Sequence, residues 1–396
     1  MIKMNKFQDF DLNRQLSEAI RKLGFTQPTE IQDKSIPLIL KGKDVIGESA
    51  TGSGKTLAFG CGIVDKVNPG EGLQALVLAP TRELAEQVNE SLKELSSKLR
   101  TMTIYGGVSI NPQIHNLVKA DVVVATPGRL LDHINRRTID ISKIKILVLD
   151  EVDRMLDMGF IDDVKKIIKL CPGKRQTLFF SATVSHHITN LADSFMHNPV
   201  KVSAKRHVDH NKLKQEYYDV PTHLKMSLLV SLLKNEKPRL SMIFCNTRRT
   251  VDFVVKNLKN NGIEAIPIHG GLSQDKRSRT MTKFNDGKSH ILVCTDVAAR
   301  GLHIDNVSHI YNYNIPNDPK EYVHRIGRTA RAGEEGKVIN LLVPEEHENF
   351  GRVQREYPTF SVKKMKRPYL ENIKIVQESR KPRKDFKRRG RRNRRF

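Results

Sequence analysis

Residues 49–56, with the sequence SATGSGKT, have the types and spacing of a loop that binds phosphate groups. Glycines in such a loop let backbone N–H groups turn inward at the start of a helix and cradle phosphate oxygens. Lys55 would contact the β- and γ-phosphates of a nucleotide, and the hydroxyl of Thr56 would bind Mg²⁺. A glycine-rich turn without a ligand is the alternative. The predicted binding residues of this loop are Ser49, Ala50, Thr51, Gly52, Ser53, Gly54, Lys55 and Thr56.

An acidic cluster, DEVD at 150–153, directly follows the apolar run 145–149. Asp150 would hold the magnesium of a bound nucleotide, and Glu151 would orient and activate the attacking water. An isolated acidic cluster is usually a solvated loop, but its position at the end of a predicted strand favours a metal site. Together with the phosphate loop, the cluster predicts a P-loop nucleoside triphosphatase.

The stretch HRIGRTAR at 324–331 places arginines three residues apart in the second half of the chain. Arg328 and Arg331 would stabilise the charge on a γ-phosphate during its transfer, a role worth roughly 10³–10⁵ in rate. Because Lys55 and Glu151 lie in the first half, hydrolysis would require the two halves to close on each other. A basic surface helix is the alternative interpretation.

Ten short apolar runs precede these and other polar clusters. Short runs rich in β-branched residues are typical of strands buried on both faces, and their alternation with helical stretches predicts parallel α/β sheets. Ligands of such sheets bind at the carboxyl ends of the strands, so the clusters should meet at one edge of each sheet. The runs lie at 44–47, 75–79, 121–125, 145–149, 177–180, 242–245, 265–268, 290–294, 307–312 and 338–343.

The stretch 200–214 has no periodic apolar pattern and is rich in charge, so we interpret it as containing an interdomain linker. The predicted division is a first domain at 1–203, a linker at 204–212, a second domain at 213–368 and a basic tail at 369–396.

Composition limits the class of protein. The chain has 396 residues, of which 38% are hydrophobic, which is enough for packed domains. It has no apolar run near 18 residues and no apolar signal core, which predicts a cytoplasmic protein without a membrane segment. Its four cysteines form no CxxC pair, so a zinc module or a disulfide framework is not expected. The net charge of +24 favours a polyanionic partner, with nucleic acid preferred over an acidic membrane.

The order and wording of the motifs resemble the DEAD-box family of superfamily 2 helicases, over residues 7–345. The sequence GFTQPTEIQ at 24–32 resembles the Q motif, which is particular to this family. The resemblance implies that Gln27 and Gln32 belong to the nucleotide site and that Gln32 reads the adenine edge. It also implies that Phe7, placed where the family has an aromatic residue, stacks on adenine.

The resemblance also implies nucleic-acid contacts in both halves. Glycines, threonine hydroxyls and arginines address phosphates and sugars, not base edges, so recognition should be largely independent of sequence. The implied contacts are Thr81, Arg82, Gly106, Gly107, Thr126, Arg129, Thr247, Arg248, Gly271 and Thr295. The residues implied to couple hydrolysis to unwinding are Asp153, Ser181, Thr183, Asp296 and His324.

By this resemblance the chain is expected to have two tandem RecA-like domains, with ATP and RNA sites at the cleft between them. It is expected to act as a monomeric RNA helicase that uses ATP and Mg²⁺ to unwind short RNA duplexes and remodel ribonucleoproteins. One alternative is a DNA helicase or translocase of the same superfamily, which the Q motif disfavours. Another is an ATP-gated RNA clamp, which intact Glu151, Arg328 and Arg331 leave open.

Three positions depart from the family pattern. Val152 replaces alanine and Ser49 replaces Ala or Gly, and neither change is expected to matter. Most members carry Asp at the position of His303, where it is thought to contact the ribose, so this contact is not carried over. Residues 380–396 hold eleven Lys or Arg and one Asp and should be disordered without a ligand. Many members carry such basic extensions, and we interpret this one as an RNA tether, with a solubilising tail or a nuclear address as alternatives.

Overall fold

The computed structural model of the protein describes residues 5–50, 52–204, 213–299, 302, 304, 307–330 and 335–376. Several predictions concern positions that lie outside the described residues. These positions are Thr51, His303, Arg331, residues 205–212 of the linker and residues 377–396 of the tail.

Seven parallel strands form a first sheet in the order β3-β4-β2-β5-β6-β1-β7. The strands are β1 (Val45–Glu48), β2 (Ala75–Leu78), β3 (Thr101–Ile104), β4 (Val122–Ala125), β5 (Ile146–Asp150), β6 (Gln176–Ser181) and β7 (Val200–Ser203). The helices are α1 (Arg14–Lys22), α2 (Glu30–Leu40), α3 (Lys55–Lys66), α4 (Arg82–Leu95), α5 (Asn111–Leu117), α6 (Pro127–Asn135), α7 (Val152–Asp157), α8 (Ile161–Leu170) and α9 (His186–Phe195).

Seven more parallel strands form a second sheet in the order β10-β11-β9-β12-β13-β8-β14. The strands are β8 (Leu213–Asp219), β9 (Ser241–Phe244), β10 (Ile266–Ile268), β11 (Ile291–Cys294), β12 (His309–Asn312), β13 (Gly336–Leu342) and β14 (Val362–Lys364). The helices are α10 (Lys225–Glu236), α11 (Arg248–Asn260), α12 (Gln274–Asn285), α13 (Asp296–Ala299), α14 (Pro319–Ile326) and α15 (His347–Glu356). When the strands of each sheet are numbered from the first strand of that sheet in the chain, both sheets have the same strand order. The chain therefore repeats one α/β topology.

The central strands β2, β4 and β5 of the first sheet are almost entirely apolar because both faces of the sheet are covered. In β5, Ile146 and Val148 join the hydrophobic core on one face, and Leu147 and Leu149 join the core on the other. Helices cover both faces, as in other parallel α/β sheets. This arrangement confirms the α/β fold with parallel sheets and explains why the apolar runs did not alternate.

Four strands were not predicted: β3, β7, β8 and β14. Three of them lie at the edges of their sheets, and an edge strand buries fewer residues than a central one. In β7 only Val202 is buried, and in β14 no residue is fully buried. The stretch 200–214, interpreted as irregular, therefore contains all of β7 and the start of β8.

The four cysteines are buried and free: Cys61, Cys171, Cys245 and Cys294. Burial raises the pKa of the Cys171 thiol to about 11, so this thiol stays protonated and unreactive at neutral pH. Within the described residues, no helix combines the length and the apolar character needed to cross a bilayer.

The packing of α2 against α3 depends on Gly62. A Cβ atom at this position would lie 2.3 Å from Cγ2 of Ile39. Alanine for glycine in a helix normally gains about 1 kcal/mol, but overpacking costs about 1–3 kcal/mol. We therefore expect Gly62→Ala to lower the thermal midpoint of unfolding. Gly351→Ala in α15, where a Cβ would meet nothing within 4 Å, should leave it unchanged or raise it. A Gly62→Ala variant as stable as the unsubstituted chain would contradict this packing.

Candidate active site

A cavity of about 420 Å³ lies at the carboxyl edge of the first sheet and is also lined by residues of the second half. It brings the phosphate loop, the acidic cluster and one of the predicted arginines into one site. The lining residues from the loop and the end of β5 are Gly52, Gly54, Lys55, Thr56, Asp150 and Glu151. The second half contributes Leu302 and Arg328.

The phosphate loop joins β1 to α3. Gly54 caps the start of α3 with a φ of 89°, a left-handed conformation that favours glycine. The amine of Lys55 donates a hydrogen bond to the carbonyl of Ser49 at 3.0 Å, which holds the side chain beneath the loop. The hydroxyls of Ser49 and Ser53 lie 2.8 Å apart. Ala50 lies in the same loop but, like Ser49 and Ser53, does not line the cavity.

The Q motif holds the phosphate loop through backbone contacts. The amide nitrogen of Gln32 donates to the carbonyl of Gly54 at 3.0 Å, and its amide oxygen accepts from the N–H of Thr29 at 2.9 Å. The hydroxyl of Thr29 donates to the carbonyl of Ser53 at 2.7 Å. Gln32 also lines the cavity, so its side chain both positions the loop and borders the space for a ligand.

Two aromatic residues differ in their placement. The ring of Phe7 is only 7% exposed and packs edge-on against Phe10, at 5.9 Å between ring centroids. Phe7 does not line the cavity, whereas Phe25, which is 48% exposed, does so together with Gln27. Phe25 was not predicted from the sequence, although its position inside the Q motif was the available signal.

The two carboxylates at the end of β5 have different environments. Asp150 is 2% exposed, and burial raises its pKa to about 7 although Lys55 opposes the change. Burial also acts to raise the pKa of Glu151, but the charges of Arg154 and Lys55 outweigh it and hold this pKa below its usual value. Glu151 forms a buried ion pair with Arg154 one helical turn later. Glu151 is therefore the carboxylate that is firmly ionised at neutral pH. Arg154 was not predicted from the sequence, although its spacing of three residues from Glu151 could have indicated the ion pair.

The cavity can accommodate a magnesium ion. The Oδ1 atom of Asp150 is buried and has no hydrogen-bond partner among the described residues. Thr56 lines the same cavity. In the described part of the chain, no group of three or more His, Cys, Asp or Glu side chains could hold a metal by itself. A single free carboxylate and a hydroxyl suit Mg²⁺, which keeps several waters and takes the rest of its ligands from phosphates.

A hydrogen-bond network connects Asp153 to the end of β6. Its Oδ2 atom accepts from the N–H of Ala182 at 3.1 Å, and from the N–H of Thr183 at 3.0 Å and its hydroxyl at 3.2 Å. The hydroxyl of Ser181 accepts from the N–H of Asp153 at 3.2 Å and donates to the carbonyl of Thr183. The network therefore ties the helix that begins after Glu151 to the neighbouring strand.

The two sheets carry matching threonine caps at their carboxyl edges. The Oγ1 atom of Thr81 accepts from the N–H of Leu84 at 3.3 Å at the start of α4. In the second half, the Oγ1 atom of Thr247 accepts from the N–H of Thr250 at 3.1 Å at the start of α11. Both threonines predicted as nucleic-acid contacts therefore also stabilise a helix terminus.

An arginine follows each of these caps and lies against glycines. A Cβ atom on Gly107 would come within 3.0 Å of Nη1 of Arg82, and Gly107 has a φ of 81°. A Cβ atom on Gly270 would lie 3.3 Å from Nη2 of Arg248. Gly106 and Gly271 adjoin these glycines in the chain. The structure thus brings together the predicted arginines and glycine pairs in both halves.

Other predicted contact residues occupy the same edges. Thr126 precedes α6, and Arg129 in that helix donates to the carbonyl of Val108 at 2.9 Å and to Oε1 of Gln113 at 3.2 Å. Arg129 therefore supports the loop that contains the glycine pair of the first half. Thr295 directly precedes α13 in the second half.

Arg325 organises the interior of the second half. It is 1% exposed and donates to both carboxylate oxygens of Asp296, at 2.6 and 2.7 Å. It also donates to Oδ1 of Asn246 and Oδ1 of Asn312. His324 adjoins it in α14. Arg325 and Arg328 are only three residues apart, and this spacing does not indicate their different roles. Arg325 is the centre of a buried hydrogen-bond network, whereas Arg328 lines the cavity.

An ion pair joins the two halves near the cavity. Nη2 of Arg277, in α12, lies 2.7 Å from Oε1 of Glu83, in α4. Both side chains are largely buried, with 14% and 16% exposed. The contact therefore links α4 of the first half to α12 of the second half.

Two family models cover most of the chain. Residues 29–191 match the model described as DEAD/DEAH box helicase, and residues 224–333 match the helicase conserved C-terminal domain. The chain belongs to the DEAD-box helicase family. The resemblance found in the motifs is therefore confirmed.

Curated relatives and solved structures agree with this assignment. The ATP-dependent RNA helicase CshA of Listeria monocytogenes is 47% identical over 349 residues, which cover 87% of this chain and 67% of that protein. The DEAD-box ATP-dependent RNA helicase CshA of Bacillus subtilis is 45% identical over 371 residues, which cover 92% of this chain and 75% of that protein. The structure of S. cerevisiae Dbp5 bound to RNA and ADP BeF3 has a TM-score of 0.81 and 31% identity, covering 91% of this chain and 95% of that one. These similarities confirm two tandem RecA-like domains.

The contact between Gln32 and the phosphate loop leads to a prediction. In Gln32→Glu a carboxylate oxygen would replace the donor and face the carbonyl of Gly54, which repels it. We expect the affinity for an ATP analogue, measured by calorimetry, to fall about tenfold, a loss of ~1.4 kcal/mol. Gln87→Glu adds the same charge to the same cavity without a hydrogen bond to the loop, so it serves as the matched control. Equal losses in the two variants would show that charge, not loop geometry, is responsible.

Proposed function

We propose that the protein is an ATP-dependent RNA helicase that couples RNA-stimulated ATP hydrolysis to local unwinding of short RNA duplexes and to ribonucleoprotein remodelling. The observation that carries the proposal is the lining of one cavity by Lys55 and Glu151 from the first half and Arg328 from the second. A site assembled from both halves can couple hydrolysis to whatever lies across the cleft. We keep 1–203 and 213–368 as the two domains, joined by a linker at 204–212. The segment that follows, predicted as a tail at 369–396, begins by packing on the second domain: Leu370 and Ile373 contact its core, and the N–H of Val376 donates to Oδ1 of Asn257 at 2.8 Å.

The nucleotide is held by groups of the first half. The backbone N–H groups of the phosphate loop and the amine of Lys55 bind the phosphates. Phe7, which the resemblance implies, and Phe25, which lines the cavity, are the two candidate rings for stacking on adenine. Gln27 and Gln32 border the base. Asp150 and Thr56 would hold Mg²⁺, which would neutralise charge on the phosphates.

Hydrolysis uses the ionised carboxylate. Glu151 orients a water and accepts its proton, which fits a side chain that stays charged at neutral pH. For this, its carboxylate must exchange part of its ion pair with Arg154 for a contact with water. Arg328, with Arg331, stabilises the charge that develops on the transferred phosphoryl group.

RNA lies across the carboxyl edges of both sheets. Arg82 and Arg248 contact its phosphates beside glycine pairs that leave room for the backbone. Contacts to the 2′-hydroxyl groups distinguish RNA from DNA. Asp153, together with Ser181 and Thr183, transmits the state of the nucleotide to this surface, as do Asp296 and His324 in the second half. We propose that the protein acts as a monomer on ribonucleoprotein substrates.

The activity can be tested by measuring ATP hydrolysis without nucleic acid, with RNA and with DNA of matched sequence. RNA alone should stimulate hydrolysis, and Glu151→Gln should reduce the stimulated rate by roughly 10²–10⁴-fold, the usual effect of removing a general base. Glu90→Gln, on the exposed side of α4, is the control and should behave as the unsubstituted chain. Equal stimulation by DNA would favour a DNA helicase or translocase, and no stimulation by either would contradict the proposal.

A further inference from the structure

A second cavity, of about 480 Å³, lies at the opposite edge of the first sheet. Its lining residues lie at or before the first residue of a strand, or at or after the last residue of a helix, which places them at the amino ends of the strands. The active site lies at the carboxyl ends of the same strands. The two cavities are therefore separated by the length of a strand, which is about 17 Å for the five residues of β5. The lining residues are Gly42, Lys66, Lys145, Gly173, Lys174, Arg175, Gln176 and His197.

The positive charges of this cavity are poorly compensated. Lys66, Lys174 and Arg175 form no ion pair within the part of the chain that the structure describes, whereas Lys145 pairs with Glu71 at 3.6 Å and donates to Oε1 of Gln74 at 2.7 Å. The buried carboxylate of Asp44 accepts backbone hydrogen bonds at 2.7 Å from Thr177 and His197 and forms no ion pair with these cations. Such an excess of positive charge favours the binding of an anion.

Two of these cations, Lys66 and Lys174, form no hydrogen bond or ion pair among the described residues, whereas Arg175 donates to the carbonyl of Pro172 at 2.6 Å just beyond the end of α8. The amide nitrogen of Gln176 donates to the carbonyls of Ile39 and Lys43 near the end of α2, so that terminus has its own partner. One donor at the wall, Nε of Arg175, is buried and has no hydrogen-bond partner among the described residues. Unsatisfied polar atoms beside a cavity are expected where a ligand or water supplies the missing bonds.

The lining also limits the kind of ligand. It has no aliphatic side chain, and its one aromatic ring is the imidazole of His197, so recognition would rest mainly on phosphate oxygens. Lysine and arginine contacts of this kind bind nucleic acid without sequence preference. We propose that this cavity is a second RNA-binding site, which holds phosphates of a strand that extends beyond the cleft. The inference rests on the proposed function, since it assigns the same substrate to a separate surface.

The test compares two double variants of the full chain. Lys66→Glu/Lys174→Glu reverses two charges in the cavity. Lys98→Glu/Lys165→Glu reverses two exposed charges of the first half that do not line the cavity and is the matched control. Each protein is titrated, with an ATP analogue, against an RNA just long enough to fill the cleft and against one with single-stranded extensions.

We expect the cavity variant to bind the short RNA and to hydrolyse ATP on it as the unsubstituted chain does, which also shows that it folds. Its affinity for the extended RNA should fall about tenfold. The slope of the logarithm of the binding constant against the logarithm of salt concentration should become shallower by about 1 to 2, because two phosphate contacts are lost. The control should match the unsubstituted chain with both RNAs.

Three results would overturn this inference. Equal affinities of the two double variants for the extended RNA would show that the cavity does not bind RNA. Inorganic tripolyphosphate is the second probe. If it binds the unsubstituted chain but not the cavity variant, while the affinity for extended RNA is unchanged, the site takes a free polyphosphate instead. If the unsubstituted chain fails to bind the short RNA, the proposed function itself is contradicted, and this site with it.

Discussion

Two adjacent carboxylates, Asp150 and Glu151, are buried at the end of the central strand of the first sheet, and the site depends on how their charge is offset. An ionised carboxylate removed from water is costly unless positive charges and hydrogen bonds lie nearby. Lys55 comes from the phosphate loop, Arg154 from the following helix and Arg328 from the second half. Because these cations come from three segments, the electrostatic environment of the carboxylates is complete only when both halves are in place.

The repeated topology explains how one chain can build such a cleft. Each sheet has the same strand order, and each carries a threonine cap, an arginine and a glycine pair at its carboxyl edge. The phosphate loop and the acidic cluster occur only in the first half, and the buried hub around Arg325 only in the second. The features present in both halves suit binding to a nucleic-acid backbone, which repeats along its length. The features present in one half suit binding of a single nucleotide.

Ten of the fourteen strands and the meeting of the phosphate loop with Asp150 followed from the sequence, since buried parallel strands are apolar throughout and their polar ends share an edge. Edge strands such as β7 and β14 were missed because they bury too little to produce an apolar run. Spacing alone could not separate Arg325 from Arg328, since only the fold decides which side chain points inward. The burial of Phe7 and the bonds of Gln32 to the phosphate loop likewise depend on tertiary packing.

The central claim is that an arginine of the second half completes a hydrolytic site of the first. The most direct measurement is single-turnover ATP hydrolysis on RNA by Arg328→Lys, which keeps the charge but loses the forked guanidinium, with the exposed Arg355→Lys as control. The account predicts a fall of roughly 10³-fold or more in the hydrolysis rate, with ATP and RNA binding nearly unchanged. An unchanged hydrolysis rate in Arg328→Lys would contradict it.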